Sequence, residues 1–179
     1  MPTICFNPAD KRHLIAAEGW LELGLHLEAN AELEQITPQL HGHPDVLDIR
    51  WQIYAKEKKW EACIDIATEI IQRAPKRSCG WINRSFTLHE MQRTQEAFDQ
   101  LLPVVEKFPK IWTIPYNLAC YASRLHRFDE AQKWLKQAME VDAETVQAAA
   151  QEDEDLKPLW DNLGGVLAAG FEFKKAIKF

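Results

Sequence analysis

With 179 residues, 46% of them apolar and 7 of them tryptophan, the chain has the length of one ordinary domain and enough apolar side chain to fill a core. Its net charge of −6 argues against nucleic acid as a partner, because a phosphate-binding surface needs a concentrated basic face. No apolar run approaches the roughly 18 residues of a membrane span, and the first residues, MPTICFNPADKRH, hold no signal-peptide core. The expectation is a cytoplasmic protein without membrane insertion. Cys5, Cys63, Cys79 and Cys120 show no CxxC spacing and no compact cluster, so neither a zinc site nor a disulfide framework is expected, and no cofactor.

Residues 1–9 read as a short tail and a helix start, Asn7 being a good N-cap and Pro8 a good first helical residue. From residue 10 the chain can be laid in four blocks without a gap, 10–43, 44–77, 78–111 and 112–145. In the second half of each block a small residue recurs at Ala29, Cys63, Ala97 and Ala131. Four places on stand Leu33, Ala67, Leu101 and Leu135, and three further Ile36, Ile70, Val104 and Ala138. Intervals of four and three draw one apolar stripe along a helix that packs against neighbours. In the first halves the recurring residues are Ala17, Trp51, Ser85 and Ala119, then Trp20, Tyr54, Leu88 and Ala122. Small side chains in the earlier set let two helix backbones approach. Trp51 is too large for that, so the second repeat is expected to splay or to use its neighbour's space. Pro75 and Pro109 close two of the blocks, since proline lacks an N–H and clashes with the preceding turn.

The predicted helices are 8–23 with 26–37, 44–57 with 60–73, 78–91 with 94–107, and 112–125 with 128–141. Short links such as Gln92-Arg93 and His126-Arg127 make the partners of each pair antiparallel. A further helix over 143–151 is expected to cover the last exposed stripe. Residues 153–160 (DEDLKPLW) form a turn and a short helix with Leu159 and Trp160 folded back. Residues 146–163 are thus capping helices. The tail, residues 164–179, sets Phe171, Phe173 and Phe179 among Lys174, Lys175 and Lys178. Docking onto its own array, self-association with a second copy, a plain cap and a frayed end are its open alternatives.

In this register the chain resembles the tetratricopeptide repeat family, whose unit is a 34-residue helix-turn-helix. Trp81, Ser85, Leu88, Ala97, Leu101 and Pro109 carry the likeness in the third block, and Leu118, Ala119, Phe128, Ala131, Leu135 and Ala138 in the fourth. Arg50, Trp51 and Cys63 depart from the usual residues in the second. The resemblance implies an all-α fold, a right-handed α-α superhelix or solenoid of four repeats with C-terminal capping helices. Each repeat then touches only its neighbours, and the core is a continuous strip.

In such a stack the first helix of each repeat lines a concave face, where Ile15, Ile49, Asn83 and Asn117 recur. Many family members use an asparagine there to bind the backbone of an extended peptide, so the resemblance implies that role for Asn83 and Asn117. A carboxamide suits it, offering donor and acceptor without a charge to desolvate. Around them Ile82, Phe86, His89 and Glu90 of the third repeat, with Thr113, Tyr116, Cys120 and Arg124 of the fourth, are the expected groove lining. Phe86 and Tyr116 are the candidate anchors. Toward the N-terminus Glu18, Glu22, Asp45 and Asp48, beside Gln52 and offset by Lys11 and Lys56, make the face acidic, favouring a basic segment mainly through steering. A solvated face, with asparagines that merely bond neighbouring helices, is the plain alternative. The clamp that one subclass uses for chaperone tails needs cations, and the corresponding places, Leu14, Glu18, Ile49, Cys79 and Asn83, supply none.

Chemistry is not expected. His41 and His43 flank Gly42 with no further ligand nearby in sequence. Cys120 and His89 could face one groove as thiol and base, a distant enzyme alternative, but no orienting third residue, oxyanion donor motif or phosphate loop accompanies them. The leading expectation is a protein-interaction module holding a peptide of another protein. A small secretion or assembly chaperone holding a client is the alternative.

Overall fold

The structure, a computed structural model, describes residues 5–164, and the expectations placed on residues 165–179 lie outside the described residues. The helices are α1 Pro8–Glu22, α2 His26–Gln35, α3 Pro44–Lys56, α4 Trp60–Arg73, α5 Cys79–Glu90, α6 Thr94–Leu101, α7 Thr113–Arg124, α8 Phe128–Val141, α9 Ala143–Glu152 and α10 Lys157–Asn162, with no strand among the described residues. The chain divides into an N-terminal unit, Met1–Thr87, and a C-terminal unit, Leu88–Phe179, the division falling inside α5.

The turn within each hairpin keeps the helices in step. α2, α4, α6 and α8 start at residues 26, 60, 94 and 128, and two residues before each start the backbone is left-handed. Gly24, Lys58, Gln92 and His126 have φ of 76°, 56°, 62° and 58°. In each turn the next N–H reaches back to a carbonyl of the preceding helix: Leu25 to Trp20 at 2.8 Å, Lys59 to Tyr54 at 2.9 Å, Arg93 to Leu88 at 2.9 Å and Arg127 to Ala122 at 2.8 Å. The left-handed residue's own N–H closes a shorter bond, from Gly24 to Leu21, Lys58 to Ala55, Gln92 to His89 and His126 to Ser123. This is the Schellman closure, which satisfies carbonyls that the end of a helix leaves open.

In the N-terminal unit, the Asn7 side chain accepts from the N–H groups of Ala9 and Asp10 at 2.8 and 2.9 Å, with Pro8 opening the helix. Asp10 is buried and accepts from the N–H and hydroxyl of Thr37 at 2.8 and 3.0 Å, tying the start of α1 to the chain just past α2. The two apolar stripes meet in a core of Ala17, Ala29, Leu33, Ile36, Ile49 and Ile53, with Trp20 and Tyr54 packed on it. Trp51 uses its neighbour's space: its indole N–H donates to the Thr87 hydroxyl at 3.1 Å and its ring meets Phe86 edge-on at 5.9 Å. The backbone at Gly80 lies hard against α4, for a Cβ there would stand 2.9 Å from Ile70 Cγ2 and 3.0 Å from the Ile71 nitrogen.

In the C-terminal unit, α6 ends at Leu101 rather than running on to 107. Pro103 cannot donate a helical bond, and residues Leu102–Val104 form a single 3-10 turn instead. The small and apolar stripe residues Ala97, Leu101, Ala119, Ala122, Ala131, Leu135 and Ala138 are all fully buried. α9 packs on α8 and buries Val146 and Ala150. At Asp153 the backbone turns extended (φ −79°, ψ 111°), and residues 153–162 fold back as an arm across α7 and α8. Leu156 and Leu159 are fully buried and Trp160 nearly so, while the Leu159 N–H donates to the buried Ser123 hydroxyl at 3.2 Å. A six-residue helix has no stability of its own in water. α10 exists because each of these apolar side chains contributes about 1.5–3 kcal/mol on burial.

Candidate functional site

The sequence places its candidate residues on first helices, and the two units present them differently. In the N-terminal unit Asn83 is only 8% exposed, and its amide nitrogen donates to Asp48 Oδ1 at 2.7 Å. Gln52 also bonds Asp48. Burial raises the Asp48 carboxyl above its usual range, the two amide hydrogen bonds and the charge of Arg77 pulling the other way. Arg77 itself pairs with Asp45. The Asn83 carboxamide is therefore not displayed to a ligand as expected. It holds a carboxylate on the adjacent first helix, the plainer of the two alternatives. Beside this group Ile82 is half-buried, Gln52 is exposed, and Phe86 is 36% exposed over the Trp51 ring. An exposed aromatic edge therefore flanks a polar cluster whose charge is negative.

In the C-terminal unit the expected lining is covered by the arm. Tyr116 is 6% exposed and cannot serve as an open anchor. Its hydroxyl donates to Asp153 Oδ2 at 2.7 Å, and the Cys120 thiol donates to the same oxygen at 3.6 Å. His89, 7% exposed, is likewise removed from any open groove: its Nε2–H donates to Asp155 Oδ2 at 3.0 Å. On the other side of the ring Nδ1 lies 2.9 Å from the Thr94 hydroxyl. Arg124, with its side chain 46% exposed, sits 3.6 Å from Asp155 Oδ1. Asn117 is half-buried and makes no side-chain hydrogen bond among the described residues. A cavity of about 460 Å³ lies beside the arm, lined by Arg124, His126, Phe128, Lys157, Pro158 and Asp161 among others.

The electrostatics here oppose thiol chemistry. Burial pushes the Cys120 thiol well above its ordinary value, and the carboxylates of Asp153 and Asp155 push it further the same way. Burial also raises the Tyr116 phenol, with Cys120 and Asp153 adding to the effect. Cys120 and His89 face different carboxylates of the arm rather than bonding each other. Among the described residues no group of three or more His, Cys, Asp or Glu could hold a metal ion, and no helix is long and apolar enough to cross a membrane.

The residues missed by sequence reasoning are Asp153 and Asp155. A spacing carries their signal. Side chains on adjacent helices meet at separations close to one repeat, as Asp48 and Asn83 do at 35 residues and Trp51 and Thr87 at 36. Asp153 lies 37 residues after Tyr116 and 33 after Cys120. An acidic triplet one repeat beyond two buried donors is thus a partner for them.

No protein-family model matches the chain, and no curated protein matches it. Solved structures do. A thermophilic TPR protein of Thermus thermophilus superposes with a TM-score of 0.74 over 88% of this chain and 84% of that one, at 16% identity. MamA of AMB-1 gives 0.60 over 88% and 91% at 18% identity. MamA of Desulfovibrio magneticus RS-1 gives 0.63 over 78% and 79% at 15% identity. At these identities the likeness shows the fold alone: the chain is an all-α array of tetratricopeptide-type hairpins.

Proposed function

We propose that the chain is a protein-interaction module that takes a peptide segment of a partner on the first-helix face of its N-terminal unit. The observation that supports it most is the juxtaposition of Phe86, exposed over Trp51, with the amide-bonded carboxylate of Asp48 and the exposed Gln52. An apolar side chain of the partner packs on Phe86. A lysine or arginine nearby answers Asp48, improving encounter more than final affinity. In the C-terminal unit Asn117 has a free carboxamide to offer a peptide unit.

The test compares capture of partners by the native chain and by the double variant Phe86→Ala/Gln52→Ala, both changes being at solvent-exposed positions, with circular dichroism as the control for folding. At least a tenfold loss of affinity for the captured partner is expected, with binding weakened further by salt. Undiminished capture overturns the assignment. A holding chaperone is the second reading, favoured by the exposure of Ile15, Leu23 and Leu27 at 66%, 70% and 67%. It requires co-purification with a single unstable client whose aggregation the chain suppresses. A stable complex with folded subunits excludes it.

A further inference from the structure

The arm formed by residues 153–162 is held in a manner that reads as ligand recognition. Four donors from α5 and α7 converge on two carboxylates: the Tyr116 hydroxyl and Cys120 thiol on Asp153, the His89 ring and the Arg124 guanidinium on Asp155. The remaining Asp153 oxygen accepts the Asp155 N–H at 2.9 Å, which folds the two acids into one short turn. Leu156 and Leu159 then fill apolar space that α7 and α8 leave open. A carboxylate partly withdrawn from water needs donors in its place, and this face supplies three hydrogen bonds and one ion pair. The recognised element is therefore an acidic turn followed by leucine.

We propose that the first-helix face of the C-terminal unit is a receptor for an Asp-x-Asp-Leu segment, that the chain's own arm fills it when no partner is bound, and that a partner segment of the same chemistry displaces the arm. Exchange of like for like makes displacement thermodynamically accessible, since the partner refills both carboxylate sites and the place of Leu156, and apolar residues following its leucine refill those of Leu159 and Trp160. The arm joins α9 through one extended residue and owes its order to the face beneath it. The recognised edge lies at solvent: Arg124 and Asp155 are 46% and 33% exposed, and Arg124 also lines the cavity of about 460 Å³. The tethered arm competes at an effective concentration on the order of millimolar, so an untethered segment binds far more weakly to the native chain than to one whose arm is disabled.

The probe is a fluorescein-labelled peptide, EDEDLKPLWD, copied from residues 152–161. Full-length native chain and the variant Asp153→Asn/Asp155→Asn are titrated against it by anisotropy. The variant is expected to bind at least tenfold more tightly than the native chain. The control probe ENENLKPLWD should bind the variant at least tenfold more weakly than the acidic probe, and Arg124→Ala in the variant should reduce binding of the acidic probe. Equal binding to both chains, equal binding of both probes, or no binding by a folded variant overturns the proposal. Should the variant fail to fold, hydrogen exchange of the native chain decides. Arm amides that exchange at least tenfold faster than those of α7 support displacement, and arm amides that exchange only with the whole C-terminal unit refute it. Phe86 and Gln52 take no part in this face, so failure here leaves the N-terminal assignment intact, and the converse holds.

Discussion

His89 and Asp155 lie 66 residues apart in the chain, yet the imidazole Nε2–H meets the carboxylate at 3.0 Å. The bond joins the last turn of one first helix to the segment that closes the array. His89 is thereby held by Thr94 on one nitrogen and Asp155 on the other, with its ring 4.9 Å from that of Tyr121. A buried side chain so fully engaged orders the surface on which the arm rests.

Tyr116 gives that surface a pH signature. Its folded-state phenol is raised above the ordinary 10.0, chiefly by burial. For an acid raised in the folded state, the folded chain holds more protons than the unfolded one above that value, so this contribution to stability is complete below pH 10 and is lost as pH rises beyond it. Absorbance titration near 295 nm should show Tyr116 ionising only as the chain unfolds. Tyr116→Phe should remove one tyrosine's share of that late step and lower stability at pH 7 by about 1 kcal/mol, leaving Asp153 with one donor fewer. Ionisation of all tyrosines together in folded protein would contradict the geometry.

The hairpin turns offer a stability gain. Lys58, Gln92 and His126 are left-handed without being glycine, a conformation costing roughly 1 kcal/mol or more for an L-residue with a Cβ. Lys58→Gly, Gln92→Gly and His126→Gly should each raise stability by about 0.5–1 kcal/mol, a range allowing for the entropy that glycine adds to the unfolded chain. Gly24→Ala should lower it by about 1 kcal/mol. Urea denaturation of the four variants gives the signs directly.

Gly80→Ala tests the approach of α5 to α4. Its Cβ would meet Ile70 Cγ2 at 2.9 Å and the Ile71 main-chain nitrogen at 3.0 Å, and the backbone contact cannot yield by a rotamer change. A loss of about 1–3 kcal/mol is expected, although alanine is the better helix former. A neutral or stabilising result in thermal denaturation would show the two helices to be further apart than described.

Thiol reactivity separates the interaction module from any thiol enzyme. Cys5 is exposed, whereas Cys63 and Cys120 are buried, the Cys63 thiol pushed by burial to about 11. Alkylation of native protein at pH 7.5 should mark Cys5 first and spare Cys63 and Cys120 until denaturant is added. Fast modification of Cys120 under native conditions would revive a catalytic role for it.

Much of the architecture is legible in the sequence because packing repeats itself. Ala29, Cys63, Ala97 and Ala131 mark a place where only a small side chain fits, and Leu33, Leu101 and Leu135 fill the next layer. Trp51, the exception in its set, was legible as one that must either splay its repeat or borrow space, and the structure shows the second. The early end of α6 was missed: Pro103 stands in the sequence, but the apolar stripe continues through Val104 and masks it. Lys58, Gln92 and His126 give no local sign of their left-handed backbone, which the closure of the hairpin imposes on them. For the candidate faces, residue type proved a poor guide. Asn83, Tyr116 and His89 have the chemistry of ligand contacts, yet internal carboxylates from Asp48, Asp153 and Asp155 already engage them. Periodicity reports which residues share a face but is silent on what else the chain folds onto it.

The four inner turns are closed by main-chain atoms alone. A junction whose hydrogen bonds need no side chain tolerates substitution at a cost of about 1 kcal/mol for a left-handed residue, so residues there can change while the spacing of the hairpins persists. Divergence of wording with retention of metre is what the comparison with the Thermus thermophilus protein displays, where 16% identity accompanies a TM-score of 0.74.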